Sequence, residues 1–110
     1  MLGLGGFKEK LEQAKQKAEE TKARLDSVQV EGASGEYLRV ISTANSRIVQ
    51  ILLNEEAKTF SAEELSRHTL VATNNALEKA RNIHDAEMAA VAKEAMPNIP
   101  GMPNMGKLFN

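Results

Sequence analysis

The spacing of apolar residues divides the chain into two helical segments with a strand-like segment between them. From Phe7 to Asp26, small or apolar residues recur at steps of four and three, the spacing of a heptad, and most other positions are charged. This pattern predicts an amphipathic helix with one narrow apolar edge, formed by Phe7, Leu11, Ala14, Ala18, Thr21 and Leu25. The glycine-rich sequence MLGLGG before it is expected to lie outside the helix.

Between residues 28 and 53 the period of the pattern changes to two, which is typical of strands. Val28 and Val30 alternate with polar residues, and the sequence EGASGE is expected to turn the chain through its two glycines. Two further runs, 37–44 and 48–53, are separated by the turn sequence ANSR. This segment predicts a three-stranded antiparallel meander. Its third strand is apolar on both faces, so one face needs cover from elsewhere.

A second long helix is predicted after the strands. Ser61 and Glu64 have the spacing of a capping box, and no proline or glycine follows until Pro97. An unbroken helix over 61–95 would be about 50 Å long at about 1.5 Å per residue, so it would project beyond the sheet. The predicted fold is α+β, in the order α-β-β-β-α, with a single domain over 1–95. The Pro-, Gly- and Met-rich tail 96–110 is expected to be flexible.

The apolar surface predicted for one chain exceeds what the same chain can cover. A domain of 110 residues with 4% aromatic residues and no tryptophan has a thin core of aliphatic side chains. Leftover apolar faces on the third strand and the last helix therefore predict a homodimer with long projecting helices. The residues expected at its interface are Ile48, Leu52, Ala76 and Ile83.

Composition narrows the functional classes. The formal net charge is −1, and basic and acidic residues are nearly balanced along the chain, so there is no basic tail of the kind that many nucleic-acid-binding proteins carry. The chain has no cysteine, hence no disulfide and no thiolate metal site. Its start lacks the long apolar run of a signal or membrane-spanning segment, so we expect a cytoplasmic protein without a membrane partner.

The sequence shows no residue pattern that predicts a catalytic or metal-binding site. His68 lies four residues after Glu64 on one helix face, but two ligands do not make a metal site. His84 lies among apolar residues, where a half-buried packing role is expected. The sequence contains no nucleophile turn, and GLGG lacks the strand-to-helix context of a nucleotide-binding loop. We therefore expect no enzymatic activity, no cofactor, no metal and no small-molecule substrate.

The order of these features resembles the YbaB/EbfC family of nucleoid-associated proteins. The shared features are a glycine-rich start, a charged first helix, a strand and turn with Val28, Val30, Gly32, Ser34 and Gly35, two more strands in LRVISTANSRIVQI, and a long final helix with a tail that ends near Phe109. The sequence ILLNEEAKTF departs from the acidic residue and proline that the family commonly has before its last helix.

The resemblance implies a tweezers-shaped homodimer in the nucleoid, whose projecting helices flank duplex DNA and bind it with little or modest sequence preference. It also implies that no catalytic site is present. Carried over by position, the residues expected to meet phosphate are Lys8, Lys10, Lys15, Lys17, Lys22 and Arg24 on the first helix, and Arg67, Lys79 and Arg81 on the last. Arg39 and Arg47 fall where the family also has basic residues on its strands.

The charge balance supports an alternative. Acidic residues such as Glu12, Glu19 and Glu20 stand near the lysines of the first helix, in spacings that are also ordinary helix-surface pairings. The chain would then be a dimeric protein-protein interaction module without DNA binding, using the heptad edge and the alanine-rich face of the last helix. If DNA is the partner, these acidic neighbours predict weak and steeply salt-dependent binding.

Overall fold

The order of helices and strands agrees with the prediction. The computed structural model describes the backbone of residues 2–95 and the side chains of residues 6–94, so the predicted tail 96–110 lies outside the described residues. The elements are α1 (Leu2–Leu25), β1 (Gln29–Ser34), β2 (Leu38–Thr43), β3 (Ile48–Leu53), a short 3-10 helix (Ala57–Thr59) and α2 (Ala62–Ala95). The strands form one antiparallel sheet in the order β1-β2-β3, which confirms the α+β prediction.

Helix α1 begins earlier than the sequence predicted. It starts at Leu2 and includes the glycine-rich segment that was expected to precede it. Glycine costs about 1 kcal/mol relative to alanine in a helix, but it keeps the amide hydrogen that proline lacks, so a helix can continue through it. At the other end, the Asn45 side-chain amide donates to the Lys22 carbonyl oxygen at 2.8 Å and to the Asp26 carboxylate at 2.6 Å. These bonds attach the β2–β3 turn to the end of α1.

The first turn of the sheet is shorter than predicted. Gly32 lies inside β1, opposite Val40 of β2, instead of in the turn. The chain turns at Gly35, whose φ of 57° is in the left-handed region that favours glycine. The two glycines of EGASGE therefore have different roles, and only the second is needed for the turn.

Helix α2 packs across β1 and β2 through its smallest side chains. Ala72, Ala76 and Ala80 are fully buried, and Ala72 and Ala76 form a core cluster with Leu38 and Val40. A Cβ atom on Gly32 would overlap the Ala72 carbonyl oxygen and the Ala76 amide nitrogen. Because neither surface carries a large side chain here, the backbones of α2 and β1 approach closely.

The start of α2 is fixed by the predicted capping box and by a cluster of rings. The Ser61 hydroxyl accepts a hydrogen bond from the Glu64 amide at 3.2 Å. Nearby, the rings of Tyr37, Phe60 and His68 lie with centroids 5.1–5.3 Å apart, and the His68 Nδ1 atom is 2.7 Å from the Ser34 hydroxyl. His68 therefore holds α2 against the β1–β2 turn.

Helix α2 then runs without interruption for 34 residues, about 51 Å at about 1.5 Å per residue. This length confirms the expectation that it extends past the sheet, and the structure measures 70 × 26 × 17 Å along its principal axes. Neither described helix has an apolar stretch long enough to cross a bilayer.

Candidate nucleic-acid interface

The apolar edge of α1 is buried at its C-terminal end and exposed at its N-terminal end. Thr21 and Leu25 are buried, whereas Phe7 and Leu11 are 54% and 47% exposed. The difference arises because the described part of α2 runs alongside only the C-terminal half of α1. Near the end of α2, Glu94 pairs with Lys17. The N-terminal half of α1 is therefore a projecting arm within the described part of the chain.

Basic residues flank this edge in two rows. In one row, each basic residue comes directly after an edge residue in the sequence, namely Phe7, Ala14 or Thr21. In the other row, each comes directly before one, namely Leu11, Ala18 or Leu25. Residues seven apart fall within about 20° of each other around a helix, so each row occupies one strip of α1. We call Lys8, Lys15 and Lys22 the first row, and Lys10, Lys17 and Arg24 the second row. The acidic residues of α1 lie farther from the edge, at Glu9, Glu12, Glu19 and Glu20.

The second row is partly engaged by α2. The Arg24 guanidinium lies 2.7 Å from the Glu87 carboxylate, and the Lys17 ammonium forms an ion pair with Glu94. These pairs border an open cleft between α1 and α2 that Val91 also lines. All four side chains are substantially exposed to solvent, and a pair of this kind contributes about 0.2–1 kcal/mol.

The remaining basic residues of α1 are free of such pairs. Lys8, Lys10, Lys15 and Lys22 are exposed, and none forms an ion pair with another side chain among residues 6–94. Positive charge is thus concentrated beside the apolar edge, although the chain as a whole is nearly neutral.

The predicted basic residues of α2 do not join a single surface. Arg67 and Arg81 are both exposed, but they are separated by roughly 20 Å along the helix axis. Lys79 instead donates to the Glu31 carbonyl oxygen at 2.9 Å, which ties α2 to β1. Of the strand arginines, Arg39 pairs with Glu31 at 3.0 Å and Arg47 is exposed before β3. The rows of α1 are therefore the most coherent basic surface among the described residues.

The exposed apolar residues of β3 include Ile51 and Leu53, which were not among the predicted interface residues. Because Ile51 lies opposite Val40 and Leu53 lies opposite Leu38, both are on the sheet face that α2 covers. Helix α2 packs mainly on β1 and β2, and Ile51 and Leu53 of β3 remain 46% and 38% exposed.

Of the four predicted interface residues, only Ile48 is clearly exposed. Leu52 and Ile83 are half-buried, and Ala76 is wholly buried against β1, which leaves it no surface for a second chain. Cover by helices of the same chain was expected over one whole face of β3. The exposed apolar residues that the interface prediction missed are Val49, Ile51, Leu53, Leu70 and Val71.

The described residues do not suggest a metal centre. Residues 6–94 contain no group of three or more His, Asp or Glu side chains placed to hold an ion. His68 bonds Ser34, and half-buried His84 lies 3.3 Å from the Asp85 carboxylate. Both histidines therefore have packing or hydrogen-bonding roles.

The described part of the chain is a small α+β body with two basic rows on a projecting helix. Comparison with known proteins identifies its family. The chain belongs to the YbaB/EbfC DNA-binding family, which it matches over residues 1–96. It is also 35% identical over 106 residues to a nucleoid-associated protein of Flavobacterium johnsoniae, an alignment that covers 96% of this chain and 100% of that protein. The family resemblance noted in the sequence is confirmed.

Proposed function

We propose that this chain is a nucleoid-associated protein that binds duplex DNA as a homodimer through basic side chains on its projecting helices. The observation that carries the proposal is the exposed lysine row along α1, on a chain that belongs to a DNA-binding family. The name of the Flavobacterium relative supports the same role. A cytoplasmic location in the nucleoid follows from this function.

The mechanism is electrostatic. Each lysine that meets a phosphate releases a condensed counterion, and this release supplies sequence-independent affinity. Lysine ammonium groups on flexible side chains act as point charges. Their contacts with phosphate carry no information about the base sequence. Little or modest sequence preference is therefore expected.

A second copy of the chain would contribute in two ways. It would cover the exposed apolar residues of β3, including Ile51 and Leu53, and burying apolar surface stabilises by about 25 cal/mol for each Å² removed from water. It would also add a second arm, related to the first by two-fold symmetry. Two sets of lysine rows around one space strengthen the local positive field without changing the balanced composition.

Charge reversal on the first row tests this function. Lys15→Glu combined with Lys22→Glu is expected to abolish binding of a labelled random duplex, because phosphate would meet carboxylate at both positions. The measurement is fluorescence anisotropy, with the dimer mass followed by light scattering and expected to be unchanged. Lys15→Glu and Lys22→Glu are also measured singly. Their control is Lys58→Glu on the 3-10 helix, which changes the net charge by the same amount. Binding retained at wild-type strength by the double variant would overturn the assignment.

One observation favours a second candidate. Phe7 and Leu11 expose an apolar edge that a helix of a protein partner could cover, as α2 covers its continuation. In that case the chain would be a dimeric interaction module. Failure of the wild-type protein to bind any duplex at low salt would favour this candidate over DNA binding.

A further inference from the structure

The two basic rows of α1 have different surroundings. Opposite the second row, α2 presents Glu87 and Glu94, which are seven residues apart and pair with Arg24 and Lys17. We propose that these two carboxylates act as internal substitutes for phosphate: they occupy Arg24 and Lys17 and so limit the affinity for DNA. This inference rests on the proposed function and specifies how the same surface is regulated.

The register of the two helices determines where this competition ends. The pairs Arg24–Glu87 and Lys17–Glu94 follow one antiparallel register, with a step of seven residues on each helix. The described helix α2 ends at Ala95, so Lys17–Glu94 is the last pair of this register among the described residues. Among residues 6–94 the internal acidic partners therefore stop at Lys17, and exposed Lys10 forms no ion pair with another described side chain.

The first row has no equivalent partners. Lys8, Lys15 and Lys22 are exposed and form no ion pair with another described side chain. The structure thus assigns the first row and Lys10 to DNA, whereas Lys17 and Arg24 hold α1 against α2 when DNA is absent. The family resemblance had implied that all six basic residues of the two rows meet phosphate.

Exposure makes the internal pairs displaceable. All four side chains are substantially open to water, where an ion pair is weak and screened by salt. A phosphate group, which accepts the same hydrogen bonds as a carboxylate, can compete for either cation. The expected effect is a reduced affinity that depends on both acids, and not a complete block.

The test removes the two acids without changing their size. Glu87→Gln combined with Glu94→Gln is expected to bind a random duplex about two- to thirtyfold more tightly, the range that two exposed ion pairs correspond to. The plot of log affinity against log salt should also steepen, by about 0.9 for each phosphate newly contacted. Glu36→Gln combined with Glu78→Gln is the matched control, since it changes net charge equally at exposed carboxylates without a described ion pair. The control should leave the slope unchanged.

A second variant identifies the cations responsible. Adding Lys17→Gln and Arg24→Gln to the Glu87→Gln, Glu94→Gln protein restores the wild-type net charge and is expected to return the salt slope to the wild-type value. A steeper slope that persists would overturn the inference, because the new contacts would come from other residues. Circular dichroism confirms the helical content of each variant.

The outcomes separate this inference from the proposed function. If the wild-type protein binds DNA and the acid-to-amide variant behaves like its control, the inference is overturned and the function stands. If only the variant binds, the inference stands in its strongest form, as autoinhibition. If neither binds at low salt, the proposed function fails and the inference fails with it.

Discussion

Gly32 shows how one residue can be recognised in a sequence and still be assigned the wrong role. Its place in EGASGE suggested a turn, because two nearby glycines are typical of one. In the structure it is a strand residue whose missing side chain admits the backbone of α2. The sequence pattern does not reveal which helix will approach a strand, so this role could not be predicted from local chemistry.

Gly32→Ala is therefore expected to destabilise the protein by about 1–3 kcal/mol or more, because its Cβ would overlap backbone atoms of Ala72 and Ala76 that cannot rotate away. Thermal and urea denaturation measure the loss. Gly6→Ala is the control: its Cβ would meet no atom within 4 Å, so its stability should be unchanged or raised by up to about 1 kcal/mol. A Gly32→Ala protein as stable as wild type would contradict the close packing of α2 on β1.

At the scale of the helices and strands, the sequence predicted bounds best where the hydrophobic period is clear and a turn or capping sequence marks the end of the element. The bounds of β3 were predicted as observed, and the Ser61–Glu64 box marked the start of α2. The heptad edge of α1 was also predictable, but its coverage was not. How much of an apolar edge is buried depends on where the neighbouring helix lies, which is a tertiary property.

Ser61→Ala is expected to lower the free energy of unfolding by about 1 kcal/mol, since the Glu64 amide would lose its side-chain acceptor. Chemical denaturation measures the change. Ser66→Ala, at an exposed position inside α2, should be neutral or slightly stabilising because alanine is the better helix former. Equal effects of the two substitutions would argue against a capping role for Ser61.

At the scale of the whole molecule, the total charge was a poor guide to where charge lies. A net charge of −1 argued against DNA, but α1 segregates its lysines beside the apolar edge and its acids away from it. The seven-residue spacing of the two rows is visible in the sequence. That α2 engages Lys17 and Arg24 required the structure, because the register between two helices is not encoded in the spacing of either one.

The proposed homodimer gives a prediction about β3. Ile51→Glu combined with Leu53→Glu is expected to convert the dimer to a folded monomer, because burying unpaired carboxylates in an apolar interface is strongly unfavourable. Light scattering measures the molecular mass, and circular dichroism shows whether the variant is folded. Gln50→Glu, on the opposite face of the same strand, should remain dimeric. A double variant that stays dimeric would show that β3 is not the interface.

Ala76→Glu has a different expected result, although Ala76 was first assigned to the interface. Because Ala76 is fully buried against the chain's own sheet, a carboxylate there is expected to unfold the protomer rather than only separate two copies. Loss of helical signal together with loss of dimer mass would distinguish this outcome from that at β3. A folded Ala76→Glu monomer would contradict the packing described above.

The measurement that tests DNA binding most directly is fluorescence anisotropy of a labelled random duplex, titrated with wild-type protein at several salt concentrations. Binding is expected at low salt and should weaken steeply as salt rises, with a log-log slope of about 0.9 per phosphate contacted. A slope of several units would correspond to the exposed lysines of two arms. Absence of binding at low salt, or binding that salt does not weaken, would contradict a DNA interface built from these lysine rows.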